Sequence, residues 1–199
     1  MYYWIIYNTT TGEIGGSSGT HAPDSTMAPA GFSLVGPYDD DANPMPTDFQ
    51  AAYDNPQAYL YQNNAFVANP NYSTIQLATT KQVQIASLRQ GYTQTLSGGF
   101  LATIGTTQYT FGWSTDDKTN MLATQEAITG ALMAFPVQYS DIYGNPVAIP
   151  DQTTLTSLKS TATSFFNTQH QQILTLIGQV NAATTVADVQ AIVWTEATY

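Results

Sequence analysis

An α+β protein is predicted, with a small β-rich region leading into a mostly α-helical region that carries one β-hairpin. Three observations lead there. The chain opens on Tyr2 to Tyr7 (YYWIIY), aromatic and β-branched residues that fit a pleated, half-buried strand. From Leu77 on, apolar residues fall three and four apart, the helical period. Inside that helical stretch, Phe100 to Ile104 and Gln108 to Trp113 bracket Gly105-Thr106-Thr107, a hairpin pattern. With 199 residues the chain accommodates one domain or two small ones, and the change of period divides it into a β-rich region, 1–76, and a helical region, 77–199.

After the first strand, Asn8 to Gly12 (NTTTG) has turn chemistry and Glu13-Ile14 resumes a second strand. Gly15 to Gly19 (GGSSG) reads as flexible, and 22–31 as an Ala/Pro-rich connection. Phe32 to Val35 reads as a short strand stopped by Gly36-Pro37, and the acidic, proline-rich Tyr38 to Asp48 as an exposed loop. Tyr59 to Tyr61 and Ala65 to Ala68 flank Asn63-Asn64. Asparagine tolerates the left-handed conformation of tight turns, so a second hairpin is expected there.

A helix is predicted over about 77–97 from Leu77, Val83, Ile85, Leu88, Tyr92 and Leu96. Gly91 weakens it by about 1 kcal/mol relative to alanine, and Gly98-Gly99 ends it. Ser114 or Thr115 caps the next helix, with Asp116 and Asp117 at its positive end. Its apolar stripe is Met121, Leu122, Ile128, Ala131, Leu132 and Phe135, and Pro136 stops it. Residues 137–150 read as an irregular or extended link. Asp151 caps a long helix carrying Leu155, Leu158, Ala162, Phe165, Phe166, Ile173, Leu176, Ile177 and Val180. Thr185 with Asp188 resembles a capping box opening a last short helix, whose Val186, Val189, Ile192 and Trp194 pack back onto the bundle.

Charged residues make up only 9% of the chain, against about 25% in ordinary domains. Four basic residues face 14 acidic ones, the formal charge is −10, and Arg89 is the only arginine. That excludes nucleic-acid binding, which needs a basic patch, and polybasic attachment to a membrane. No apolar run approaches the roughly 18 residues of a membrane span, so no membrane insertion is expected. No basic region precedes an apolar stretch near the start, so no secretory signal is read. Without cysteine there are no disulfides, thiolate nucleophiles or Cys-ligated metals.

Thr, Gln, Asn, Ser and Tyr fill the deficit in a chain that is 43% hydrophobic and 12% aromatic, too apolar to stay disordered. Gln90 to Thr115 and Ser160 to Ala187 contain no formal charge. Neutral amides and hydroxyls cost less to desolvate than ions and hydrogen-bond across a contact. These stretches are therefore read as surfaces that meet other protein chains, with a bias of overall composition as the competing reading.

Little points to catalysis. His21 lies in a Gly/Pro-rich loop and His170 mid-helix, without the partners a metal site needs. Asp39-Asp40-Asp41 with Asp48 offers hard oxygen ligands for calcium, but lacks the alternation and central glycine of an EF-hand loop, so a solvated acidic loop is expected. The other carboxylates sit where caps and turns want them. There is no nucleophile elbow, phosphate-binding glycine loop or dinucleotide fingerprint. No catalytic, cofactor-binding or metal-binding residue is assigned, and no enzyme is expected. The tyrosines, 13 in all, offer faces on which sugar rings stack, although strand packing accounts for most of them.

Specific residues carry a resemblance. KQVQIASLR from Lys81 to Arg89, Gly99-Phe100, a hairpin bearing Tyr109, the acidic helix start Asp116-Asp117 with Asn120, a long last helix and the closing AATTVADVQAIVW (Ala182 to Trp194) resemble a helical domain of unknown function that recurs in tailed-phage and prophage proteins, often encoded with tail fibres. It covers roughly 77–195. The aromatic strand, turn and T-G-E-I of Tyr2 to Ile14, the segment Ala30 to Val35 and the hairpin Tyr59 to Pro70 are similar to the opening of phage tail proteins. The chain departs from many members in its low charge and its longer Thr/Gln-rich last helix.

The resemblance implies a structural virion protein: a tail-fibre, fibre-adaptor or baseplate-associated subunit, assembled in the host cytoplasm and acting by protein–protein contact. The β-rich region would dock onto another tail protein, and the helical region would pack against copies of itself, a trimer by analogy with fibres. Leu155, Leu158, Phe165, Ile173, Leu176 and Val180 are candidate contacts, with the intrachain core as their other reading. A fibre-assembly chaperone absent from the finished particle, and a glycan-binding recognition module, are the alternatives.

Overall fold

The fold is α+β, with strands gathered in the N-terminal part and helices dominating later. The structure, a computed structural model, describes residues 1–39 and 45–199. The chain forms two compact units, Met1–Ala78 and Thr79–Tyr199.

In the first unit, β1 (Tyr2–Asn8) is the central strand of an antiparallel sheet, flanked by β2 (Ile14–Gly19) and β3 (Phe32–Asp39). The stretch read as flexible, GGSSG, is thus part of a strand. It pairs with β1 from Tyr2–Gly19 to Ile6–Gly15, and Gly19 makes room for β1: a Cβ there would lie 2.9 Å from the Trp4 ring. Gly36-Pro37 does not stop β3 either. Both residues stand opposite the single Trp4, between the pairs Tyr3–Tyr38 and Ile5–Val35. This is a β-bulge on an edge strand, where the missing proline N–H leaves no ladder bond unmade. Gly36 takes φ +110, and a Cβ there would meet the Tyr3 carbonyl oxygen at 2.9 Å.

The segment read as an acidic loop gives its first two residues to β3 and its last two to a helix the sequence reading missed, α1 (Thr47–Asp54). Phe49 and Ala52 are fully buried and pack with Ile5. Phe49 lies edge-on to Tyr38 and Phe66, with ring centroids 4.5 and 6.0 Å away. The sequence signal for it is Phe49, Ala52 and Tyr53 at helical spacing after Pro46. The hairpin of β4 (Tyr59–Gln62) and β5 (Ala65–Ala68) turns at Asn63 and Asn64, with φ 52 and 61, as the two asparagines predict.

The helix expected from 77 is α2 (Tyr72–Gly98), which begins five residues earlier. The second unit continues with the hairpin β6 (Phe100–Ile104) and β7 (Thr107–Phe111), then α3 (Thr115–Thr129). Ser114 and Asp117 form a full capping box. α3 is shorter than its apolar period implied. Gly130 takes the C-cap and Ala131 turns left-handed at φ 55, so the chain leaves the helix before Ala131, Leu132 and Phe135. Leu122 and Leu132 are exposed, and Met121 is the buried residue of the expected stripe. The expected link at 137–150 is a hairpin, β8 (Val137–Ser140) with β9 (Pro146–Ile149).

Asp151 caps α4 (Gln152–Ala182), accepting the Thr154 N–H at 2.8 Å. Thr185 caps the short α5 (Val186–Ala191). The core joins Phe100 and Phe111 of the first hairpin, Val137, Val147 and Ile149 of the second, and Leu155, Leu158, Ala162 and Phe165 of α4.

Two exposed carboxylates fix turns here. Asp141 is held below the usual carboxylate range by the Asn145 side chain, then by the Asn145 and Tyr143 N–H groups. Asp151 is lowered first by the Thr154 N–H and then by its hydroxyl. Depressed folded values make this stabilisation complete above the unfolded carboxylate value and lost as pH falls through the folded ones. Urea unfolding across an acid pH series checks the sign: Asp141→Asn with Asp151→Asn gives a shallower loss of stability on acidification than the parent chain.

Candidate interaction surface

α4 turns one row of residues inward. Leu155, Leu158, Ala162, Phe165, Gln169, Ile173, Leu176 and Val180 are buried, three or four apart. All six apolar residues expected as candidate contacts belong to this row, so they form intrachain core and are closed to another chain. Phe166 and Ile177 lie beside the row and are half-buried.

Gln169 is the one polar member of the row and is fully buried. Its carboxamide pairs with the backbone of Ala197, donating to the carbonyl oxygen at 2.7 Å and accepting the N–H at 3.1 Å. Ala197 belongs to an extended strap, residues 192–199, which follows α5 and is tied down along its length. The Gln84 amide donates to the Ile192 carbonyl, and the Trp194 indole N–H donates to the Thr95 hydroxyl at 3.0 Å. The Tyr199 ring stands edge-on to Phe165 at 4.9 Å, and its hydroxyl accepts the Leu101 N–H. Lys81 donates to the Asn181 carbonyl at 2.8 Å, satisfying one of the open acceptors at the end of α4. Gly91 is the notch that admits the strap: a Cβ there would lie 2.5 Å from the Trp194 ring. What reads in sequence as a weak point of the helix is a packing requirement.

Some of the neutral polar residues in the two charge-free stretches, Thr95 and Gln169 among them, are therefore used within the chain. The rest face outward. On α4, Ser160, Ser164, Asn167, Gln171, Leu174, Gly178 and Asn181 are all exposed and repeat at spacings of four and three. On α2, Gln90, Thr93, Gln94 and Ser97 are exposed and uncharged. Thr93 returns its hydroxyl to the Arg89 carbonyl four residues back, and Thr161 to that of Ser157. A threonine bonded this way presents its methyl outward with its donor already satisfied, which lowers the cost of covering it.

The remaining candidate groups stay apart. The His21 ring lies 3.0 Å from the Thr20 hydroxyl, while His170 stacks on Phe166 at 5.5 Å. Asp40 and Asp41, in the segment expected to be a solvated acidic loop, lie outside the described residues, and among the described residues no three His, Cys, Asp or Glu side chains gather as metal ligands. A cavity of about 460 Å³ is lined by Met121, Thr124, Met133, Gln138 and Tyr139, and faces Asp117. That carboxylate is committed to the capping box. Burial pushes the Tyr139 hydroxyl up, against a smaller opposite pull from Thr124. No protein-family profile, curated protein or solved structure matches the chain.

Two substitutions test the strap. Alanine is the better helix former by about 1 kcal/mol, yet Gly91→Ala destabilises the chain, because overpacking against Trp194 costs about 1–3 kcal/mol. Trp194→Ala then costs less in the Gly91→Ala background than in the parent, as a urea double-mutant cycle reads. Gln169→Leu strands the Ala197 groups at about 1–3 kcal/mol, and hydrogen exchange at the Ala197 amide accelerates.

Proposed function

We propose that the chain is a structural subunit of a bacteriophage tail, a tail fibre, fibre adaptor or baseplate-associated protein that works in the virion by assembly rather than catalysis. The supporting observation is the outward face of α4: from Ser160 to its end the helix carries no formal charge, and its exposed row keeps the alternating four-three spacing of a helix–helix seam. A solvated helix face ordinarily carries lysine and glutamate. Neutral amides, serine hydroxyls and an exposed Leu174 are instead what a contact between chains desolvates more cheaply than ions. The occupant of that face is a further copy of this chain, with three copies around an axis as the arrangement. The first unit docks onto another tail protein. The phage context rests on the resemblances of Lys81 to Arg89, of Ala182 to Trp194 and of the opening strand and turn.

Sedimentation equilibrium at micromolar concentration reads a trimer. Gln171→Glu with Leu174→Lys places charge in the seam at exposed positions, where folding stability moves by only about 0.5 kcal/mol, and converts the trimer to monomer. A parent chain that stays monomeric and retains no tail protein overturns the reading. Mass spectrometry of purified virions separates subunit from chaperone: stoichiometric peptides identify the subunit, and their absence identifies the chaperone.

A further inference from the structure

The first unit holds a concave site to which the assembly reading assigns no residue. The turn Asn8 to Gly12 and the turn at Asn63-Asn64 stand side by side, joined by backbone: the Tyr61 N–H donates to the Gly12 carbonyl at 2.9 Å, and Glu13 bridges Leu60. Gly12, at φ 76, permits this approach, since a Cβ would lie 3.0 Å from both the Tyr61 carbonyl oxygen and the Gln62 side chain. Asn8 locks its own turn by accepting the N–H groups of Thr10 and Thr11 at 2.8 and 2.9 Å. Between the turns lies a cleft of about 500 Å³ lined by Tyr, Thr, Gln, Asn and Gly, with no charged side chain. That volume falls within the range of about 300–1,000 Å³ for small-ligand sites.

The lining groups are open. Among the described residues, the Thr10 hydroxyl, the Gln62, Asn63 and Asn64 carboxamides and the Tyr7 and Tyr61 hydroxyls make no hydrogen bond within the chain. Tyr7 and Tyr61 pack ring to ring, with centroids 4.7 Å apart, and both border the cleft. A carboxamide presents a donor and an acceptor on adjacent atoms, the pattern that neighbouring hydroxyls of a pyranose complement. A tyrosine ring offers apolar carbon to the C–H face of a sugar and a hydroxyl to its rim. An uncharged lining gives no counter-ion to phosphate, carboxylate or ammonium.

We infer that this cleft between the two turns binds a neutral saccharide, the Gln62, Asn63 and Asn64 carboxamides and the Thr10 hydroxyl bonding its hydroxyl groups and the Tyr7–Tyr61 pair packing against its ring. The inference does not depend on the oligomeric state or on the tail role.

The test is an NMR titration of the full chain with maltotriose, an N-acetylglucosamine trimer and a fucosylated galactoside, with sialyllactose and inorganic phosphate as charged counter-probes. Amide shifts at residues 10–12 and 61–64 with at least one neutral probe are expected, with a dissociation constant in the millimolar range. Asn63→Gly with Asn64→Gly keeps the left-handed turn and removes both carboxamides. Adding Thr10→Val to that pair weakens binding at least tenfold, while the rest of the spectrum stays that of the folded chain. The proposal is overturned by silence of these amides with every neutral probe at about 10 mM, by a response to the charged probes alone, or by equal binding to the triple variant. It is also overturned if self-association of the chain covers the same amides, which makes the cleft a protein interface.

Discussion

The pairing of the buried Gln169 carboxamide with the Ala197 backbone governs the surface of the helical unit. A fully buried amide left unmade costs about 1–3 kcal/mol, so Gln169 holds its place on the inward row of α4 only while the strap lies against it. With the strap in place, Gln84, Thr95, Trp194 and Tyr199 all find their partners. Which neutral residues remain outward follows from that arrangement. Remove the strap, and Gln169 and Thr95 revert to unpaired polar groups on a surface indistinguishable in composition from the outer face.

The same chemistry thus serves two ends. Amides and hydroxyls close the chain on itself where two bonds can be made at once, as at Gln169, and populate an uncharged exterior where none are required. Threonines that bond back to their own helix sit between these cases: polar by composition, they present hydrocarbon. A chain with four basic residues has few ionic alternatives, and it spends Lys81 on the end of α4 and lays Lys118 over the Trp113 ring, 5.3 Å from its centroid.

The first unit answers a different demand. An aromatic strand, β1, is central to its sheet and needs thin neighbours. β2 supplies Gly19 beside the Trp4 ring, and β3 supplies a bulge opposite Trp4. The turns that close these strands are joined to each other by backbone bonds, which leaves Thr10, Gln62, Asn63 and Asn64 to line one cleft, while Asn8, Thr9 and Thr11 engage their side chains in hydrogen bonds.

Local chemistry was legible where a single residue type decides the backbone. Asn63-Asn64 set a left-handed turn, Ser114 and Asp151 opened their helices, and the three-four spacing located α2 and α4. The α+β class followed from those. Tertiary structure decided what depends on a partner distant in sequence. Gly91 gains its meaning from Trp194, 103 positions later, Gly19 from Trp4, the bulge at Gly36-Pro37 from its place on an edge, and α1 from the pocket that buries Phe49. Period alone carried α3 too far, because a C-cap at Gly130 ended it first. The cleft could not be read in advance, since its two turns lie some fifty residues apart and meet only through backbone bonds that no side-chain pattern announces.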